Sequence, residues 1–215
     1  MHPDINNTTL NIAIDDQDCF FILGLEAVLT DIFTARFPDL TLYFHRLQDG
    51  NVKEMDIIFL TLHPGDKIDC MWPALAYRKL RSLVVGFCEH SPTESTGKPL
   101  FCLSKALWLD KCSPLTLVVQ KLILAWRDVL AGSSDTEMRD CTRCSRLRLT
   151  EQQRKIAYYM IRDYSNHDIA RLLKINIKTV SVHKYFLMEK MRLRSNQQFI
   201  NFLRRKNSVA ALTLE

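Results

Sequence analysis

The sequence predicts a doubly wound α/β domain followed by an all-α domain of four helices. Three observations carry that prediction. Up to residue 130, short apolar runs alternate with longer helical patterns, as in a parallel sheet wrapped by helices. From residue 148 to residue 208 the periodicity is helical throughout, with N-cap residues at the helix starts. Charge also changes sign along the chain: residues 135–215 hold 17 Lys and Arg against 8 Asp and Glu, a net of +9. The whole chain is +5, which leaves −4 for residues 1–134. An acidic front and a basic back read as two domains, the second suited to a polyanion.

In the front half, "LNIAI" (Leu10–Ile14), "DIIFLTL" (Asp56–Leu62), "SLVVGF" (Ser82–Phe87) and "ALWL" (Ala106–Leu109) are too apolar and too short for helices and read as buried strands. "LTLYFHRL" (Leu40–Leu47) is a weaker strand. Helices are predicted at "GLEAVLTDIF" (Gly24–Phe33) and Pro114–Leu130, the latter with Ser113 as N-cap and Pro114 at the first helical position. The polar stretch 131–147 lacks any apolar period and is the linker. This gives a tail at 1–9, a sheet domain at 10–130, a linker at 131–147, a helical domain at 148–208 and a tail at 209–215.

Composition narrows the function classes. Hydrophobic content of 47% with 25% charged residues describes a globular protein. The start "MHPDINNTTLNIAI" has no basic, apolar pattern, so no secretory signal is expected. "LTLVVQKLILAW" is interrupted by Gln120 and Lys121 and is too short to span a bilayer, so no membrane partner is expected. Seven scattered cysteines suit reduced thiols in the cytoplasm rather than a disulfide framework. "CTRC" (Cys141–Cys144) is a lone pair where zinc wants four ligands, and the sequence pattern assigns His63 to no catalytic dyad with a Ser or Cys. No enzyme, metal or cofactor is therefore expected.

In the back half, Thr150 and Gln153 form a capping box ahead of a helix whose stripe is Ile156, Tyr159, Met160 and Tyr164. "SNHDIARLLK" makes a short helix from about Asn166, with Ile169, Ala170 and Leu173 inward. "KIN" then leads into "INIKTVSVHKYFLMEKM" (Ile175–Met191), capped by Asn176. At 100° per residue, Ile177, Val180, Leu187, Met188 and Met191 face a core, while Lys178, Val182, Tyr185 and Glu189 face away with Ser181 at the edge. A cation, a hydroxyl, a small apolar group and a tyrosine near a helix N-terminus suit the floor of a DNA groove. Two helices joined by so short a turn form a helix-turn-helix. In the last helix, "NQQFINFLRRK", Phe199, Ile200 and Leu203 share one side, which either closes the core or supports pairing of two domains.

These residues carry a resemblance. "LT" at 149–150, "SNHDIA" at 165–170, "TVSVH" at 179–183, "KM" at 190–191 and "RS" at 194–195 resemble the DNA-binding domain of the LuxR/NarL family of bacterial transcription regulators, and among them the Rcs-type capsule regulators and their auxiliary partners. Gln153 stands for the family's usual glutamate, and Asp163 for its usual glycine at the end of the first helix. The resemblance implies that Lys178, Ser181, Val182 and Tyr185 lie in the major groove, with Ser165, Asn166 and Thr179 on phosphates. Lys184 joins this DNA-binding set, though its angle lies near the buried stripe, and His183 is expected to pack within the domain. It further implies double-stranded DNA as partner, a homodimer or a heterodimer with a related response regulator, RNA polymerase as a further contact, and a bacterial cytoplasm.

The front half resembles a response-regulator receiver domain in its alternation. Asp15, Asp16 and Asp18 stand where receivers hold magnesium, but Thr61 occupies the phosphoacceptor position. Thr lacks the carboxylate that forms an acyl phosphate. The fourth strand ends in Phe87 rather than a hydroxyl residue, and the receiver lysine has no clean match, Asp110 aligning there with Lys111 beside it. The expectation is a pseudo-receiver and a transcription regulator that acts without phosphorylation of its own receiver. The alternative is a regulator whose front domain senses a small molecule or a protein, with "CFFILG" and "MWPALAYRKL" lining a pocket or simply packing a core.

Overall fold

The computed structural model describes residues 9–66, 72–88, 103, 105–132 and 149–208. The linker from 133 onward, the "CTRC" pair and both tails up to residue 8 and from residue 209 lie outside the described residues. The chain divides into two compact units, Met1–Leu62 with Trp72–Arg143, and His63–Met71 with Cys144–Glu215.

The first unit is built on five parallel strands: β1 (Thr9–Asp15), β2 (Thr41–Arg46), β3 (Ile57–Leu62), β4 (Leu83–Cys88) and β5 (Leu107–Asp110), in the order β2-β1-β3-β4-β5. Every residue of β3 and β4 is buried, as a central strand covered on both faces requires. On one face Leu10, Ile12, Ile14, Ile57, Phe59, Val85 and Phe87 pack under two helices, α1 (Cys19–Arg36) and α2 (Leu115–Leu130). Leu25, Leu29 and Phe33 of α1 meet Leu122, Trp126 and Val129 of α2 in the same core, with the Phe33 and Trp126 rings edge to face at 6.3 Å. Gly86 sits in β4 because the Trp108 ring of β5 lies over it: a Cβ there would stand 2.4 Å from that ring. The doubly wound α/β class is thus observed, receiver-like in strand order.

Among the element ends that differ from expectation, three stand near the strand ends and helix starts. Helix α1 starts five residues before Gly24, because the Asp18 carboxylate accepts the amides of Phe20 and Phe21 at 3.0 and 3.3 Å. Helix α2 starts at Leu115 with Pro114 in the cap position and no side-chain cap, so Ser113 does not serve as N-cap. Strand β4 runs one residue past Phe87, to Cys88.

The second unit holds α3 (Glu151–Ile161), α4 (Asn166–Leu173), α5 (Ile177–Lys190) and α6 (Asn196–Ser208). The Thr150–Gln153 capping box is formed in both directions, at 3.1 and 3.2 Å. Ile156, Met160, Ile169, Val180, Leu187, Met191, Phe199, Phe202 and Leu203 are buried and make the core. Two residues expected there are exposed. Tyr164 lies past the end of α3, and Ile177 is the first residue of α5, where no preceding turn covers it. Within the same unit, Arg205 reaches the buried Asp66 at 2.9 Å.

The first three helices of this unit end alike. Asp163, Lys174 and Arg192 adopt left-handed backbone with φ of 61°, 53° and 53°. The next amide then bonds five residues back: Tyr164 to Tyr159 at 3.2 Å, Ile175 to Ala170 at 3.0 Å and Leu193 to Met188 at 2.8 Å. This C-cap favours glycine, yet none of the chain's six glycines lies beyond Gly132. Asp163 takes the conformation despite its Cβ, and its carboxylate accepts from Arg204 at 3.0 and 3.2 Å. At Lys174 the left-handed strain is relieved by glycine, offset in part by glycine's greater unfolded-state freedom. Lys174→Gly is therefore expected to stabilise the helical unit by about 0.5–1 kcal/mol, whereas Lys174→Ala leaves the strain in place. Urea titrations of both variants read the difference.

Candidate nucleic-acid interface

Helix α5 is clamped on one side and open on the other. Val180 and Leu187 are fully buried and Met191 nearly so, which fixes the rotation of the helix about its axis. The opposite side then faces outward by periodicity. Lys178, Thr179, Ser181, Val182, Tyr185 and Glu189 are all exposed. Asn176 caps the helix by accepting the Lys178 amide at 2.8 Å. The outward side thus begins at a capped N-terminus, where the helix dipole adds to the lysine charge.

Helix α4 ends its own first turn beside this face. Ser165 is its N-cap, accepting the Asp168 amide at 3.1 Å and donating to the Asp168 carboxylate at 2.5 Å. That hydroxyl, then Arg171, keep the exposed Asp168 carboxyl below its ordinary range. Asn166 donates to the Ser181 hydroxyl at 3.5 Å, and Ser181 in turn donates to the Ile177 carbonyl at 3.2 Å. The structure therefore brings Asn166 and Ser181 together across the turn. Lys184 and His183 are half-buried on the flanks of α5, away from the middle of the outward face. Phe186 lies outside the set predicted from sequence, yet it is 51% exposed and packs edge-on against Tyr185 at 5.9 Å. Its spacing of four from Val182 is the signal that places it beside that face.

Residues 147–203 match the family model described as bacterial regulatory proteins, luxR family. The helical domain is a LuxR-family domain. No curated protein matches the sequence. Among solved structures, the chain is similar to the response regulator StyR, with 16% identity, a TM-score of 0.40, and coverage of 91% of this chain and 98% of that one. It is also similar to the two-component response regulator RcsB in a DNA complex, with 16% identity, a TM-score of 0.49 and coverage of 92% and 98%. RcsB from Salmonella enterica serovar Typhimurium, bound to promoter rprA with the phosphomimetic BeF3−, matches with 16% identity, a TM-score of 0.42 and coverage of 90% and 99%. These superpositions are loose, and the family assignment rests on residues 147–203. Among the described residues, no helix is long and apolar enough to cross a membrane.

In the sheet unit, strand order reverses between β1 and β3, so their carboxyl ends frame the crevice where such folds hold ligands. Here protein groups fill it. The Thr61 hydroxyl donates to Asp16, the Lys111 ammonium pairs with the same carboxylate at 2.6 Å, and the Asp18 amide donates to it at 2.8 Å. The Trp72 indole donates to Asp15, and Asp18 caps α1. Each of the three aspartates thus has a protein partner. Lys111, expected to have no clean receiver counterpart, reaches the crevice because β5 extends to Asp110 and the chain turns immediately after it. Its ammonium also lies 4.1 Å from the centre of the Phe21 ring. Phe87 is buried between Phe59 and Phe21, at 6.0 and 5.1 Å, and holds the apolar wall behind this group.

Burial pushes the Asp16 carboxyl up, but the Asp18 amide, Lys111 and Thr61 outweigh it and hold the group below its ordinary range. A carboxyl lowered on folding adds stability above its unfolded value, lost as pH falls through the folded one. Lys111→Met leaves a buried carboxylate without its cation and is expected to destabilise the sheet unit by about 3 kcal/mol at neutral pH. The deficit should shrink as the solution is acidified past the ordinary carboxylate range, where Asp16 in the variant becomes neutral. Denaturant titrations of both proteins across that range measure it.

Proposed function

We propose that the chain is a sequence-specific, DNA-binding transcription regulator that contacts promoter DNA as a dimer. The observation that carries this is the outward side of α5, which offers Lys178, Ser181, Val182 and Tyr185 together, directly beside the α4 N-terminus. In this reading these four side chains lie in the major groove. Ser165, Asn166 and Thr179 meet phosphate, and Lys184 reaches a flanking phosphate by extending its stem past the buried stripe. The net charge of +9 over residues 135–215 supplies the attraction to the backbone.

One helix-turn-helix covers few base pairs, so useful specificity calls for two of them. The mate is a second copy or a related response regulator of the Rcs type. RNA polymerase is the further partner that a bacterial transcription regulator in the cytoplasm would meet. The protein acts by binding rather than as an enzyme, and needs no cofactor. On this reading the domain limits are 10–130 for the pseudo-receiver, 131–147 for the linker and 148–208 for the DNA-binding domain.

The front unit works without phosphorylation. Thr61 provides no carboxylate for an acyl phosphate, and the lysine is already committed to Asp16. With a small phosphodonor and magnesium, residues 9–132 are expected to remain unmodified by intact-mass spectrometry, and promoter affinity is expected not to change. A covalent phosphate there contradicts the proposal.

Lys178→Ala is expected to weaken specific binding by about 1–3 kcal/mol if the ammonium meets a guanine edge. Loss of the same size on every duplex, with a shallower salt dependence, assigns it to phosphate instead. Unchanged affinity and unchanged salt slope remove Lys178 from the interface.

A further inference from the structure

The outward side of α5 is more apolar at its middle than a solvated helix face has reason to be. Val182, Tyr185 and Phe186 are 50%, 63% and 51% exposed. Val182 and Phe186 are four residues apart and therefore neighbours on the helix surface. Tyr185 and Phe186 meet edge to face, so each ring limits the other's rotamers and the pair stands as a preformed ridge. Lys178 lies one turn toward the N-terminus on the same side, and the exposed Lys190 lies one turn past Phe186. An apolar ridge between two cations matches one surface in particular. The major groove floor presents an apolar group only at the thymine 5-methyl, and the walls beside it are phosphate.

We propose that Val182 and Phe186, steadied by Tyr185, form a reading strip for thymine 5-methyl groups, making them specificity-determining residues of this domain. The inference rests on the DNA-binding reading above and names what its middle section recognises. Lys178 takes the polar edge of one base, and the strip takes methyl groups one helical turn further along. Phe186 then discriminates thymine from cytosine by packing, with no hydrogen bond needed. Removing one methyl from such a contact is expected to weaken binding about fourfold, the effect of burying a single methyl-sized group.

The test uses the full chain and a random-sequence duplex pool, from which bound duplexes are selected and a preferred site defined. Each thymine of that site is then replaced singly by uracil, which deletes only the 5-methyl. At one or two positions uracil is expected to lower wild-type affinity about fourfold, while Phe186→Ala or Val182→Ser bind the thymine and uracil sites equally. Both variants should match the wild-type far-UV circular dichroism spectrum and thermal midpoint, which shows that they are folded. A preferred site with no uracil-sensitive thymine overturns this proposal and leaves the DNA-binding reading standing. Uracil sensitivity that persists in both variants overturns it as well. So does a Phe186→Ala protein that loses self-association but retains methyl discrimination, because the ridge would then be a contact between two copies. A pool that yields no preferred sequence removes the DNA-binding reading and the strip with it.

Discussion

Burial of Val180, Leu187 and Met191 is the constraint on which the proposed function of the helical unit depends. A helix packed on one stripe has no freedom to turn about its axis, so those three side chains decide which residues meet solvent. Replacing a fully buried leucine by alanine costs about 2–5 kcal/mol, and the interfacial face would lose its orientation together with that packing. Around this clamp, the capping of α4 by Ser165 and of α5 by Asn176 sets where each helix begins, and the left-handed Lys174 sets the turn between them. Orientation of α5 therefore comes from apolar core residues, while its chemistry comes from exposed ones. The two sets share one helix without overlapping.

The sheet unit solves a different problem. The carboxyl ends of parallel strands gather acidic groups, and an uncompensated carboxylate that close to a core is costly. Relatives of this architecture meet the cost with a metal ion, by the resemblance of the sequence to receivers. Here an ammonium and a hydroxyl from the chain itself, Lys111 and Thr61, converge on Asp16. A network satisfied from within resists rearrangement, because every displaced member leaves a buried polar group unpaired. That property suits a fixed scaffold better than a two-state switch, in line with the proposal that this unit works without phosphorylation.

Much of this was legible in the sequence because local rules and tertiary structure agree. The Thr150–Gln153 capping box, the Asn176 cap and the buried Val180–Leu187–Met191 stripe follow from spacing alone. β1, β3 and β4 are legible as apolar runs, since central parallel strands are covered on both faces, whereas the edge strand β2 buries none of its residues and reads only as a weaker run. What escaped depends on where the chain goes next in space. Asp18 reads as a metal-site carboxylate until α1 is seen to start on it. Lys111 looked misplaced by one position because the end of β5 determines where its long stem can reach. Ile177 fits the inward stripe by angle, yet the first turn of a helix has no preceding turn to cover it. An aromatic at the flank of a stripe ordinarily packs, and only the exposure of Phe186 shows otherwise.

In the proposed complex, the outward side of α5 lies in the major groove of duplex DNA. A methylation footprint addresses it directly, because dimethyl sulfate attacks guanine N7 in the major groove and adenine N3 in the minor groove. On a duplex selected by the full chain, guanine N7 protection is expected within the bound half-sites, and it should disappear for a Lys178→Ala, Tyr185→Ala protein that still folds. Protection confined to adenine N3, or N7 protection that survives the double substitution, would show that this side of α5 does not lie in the major groove.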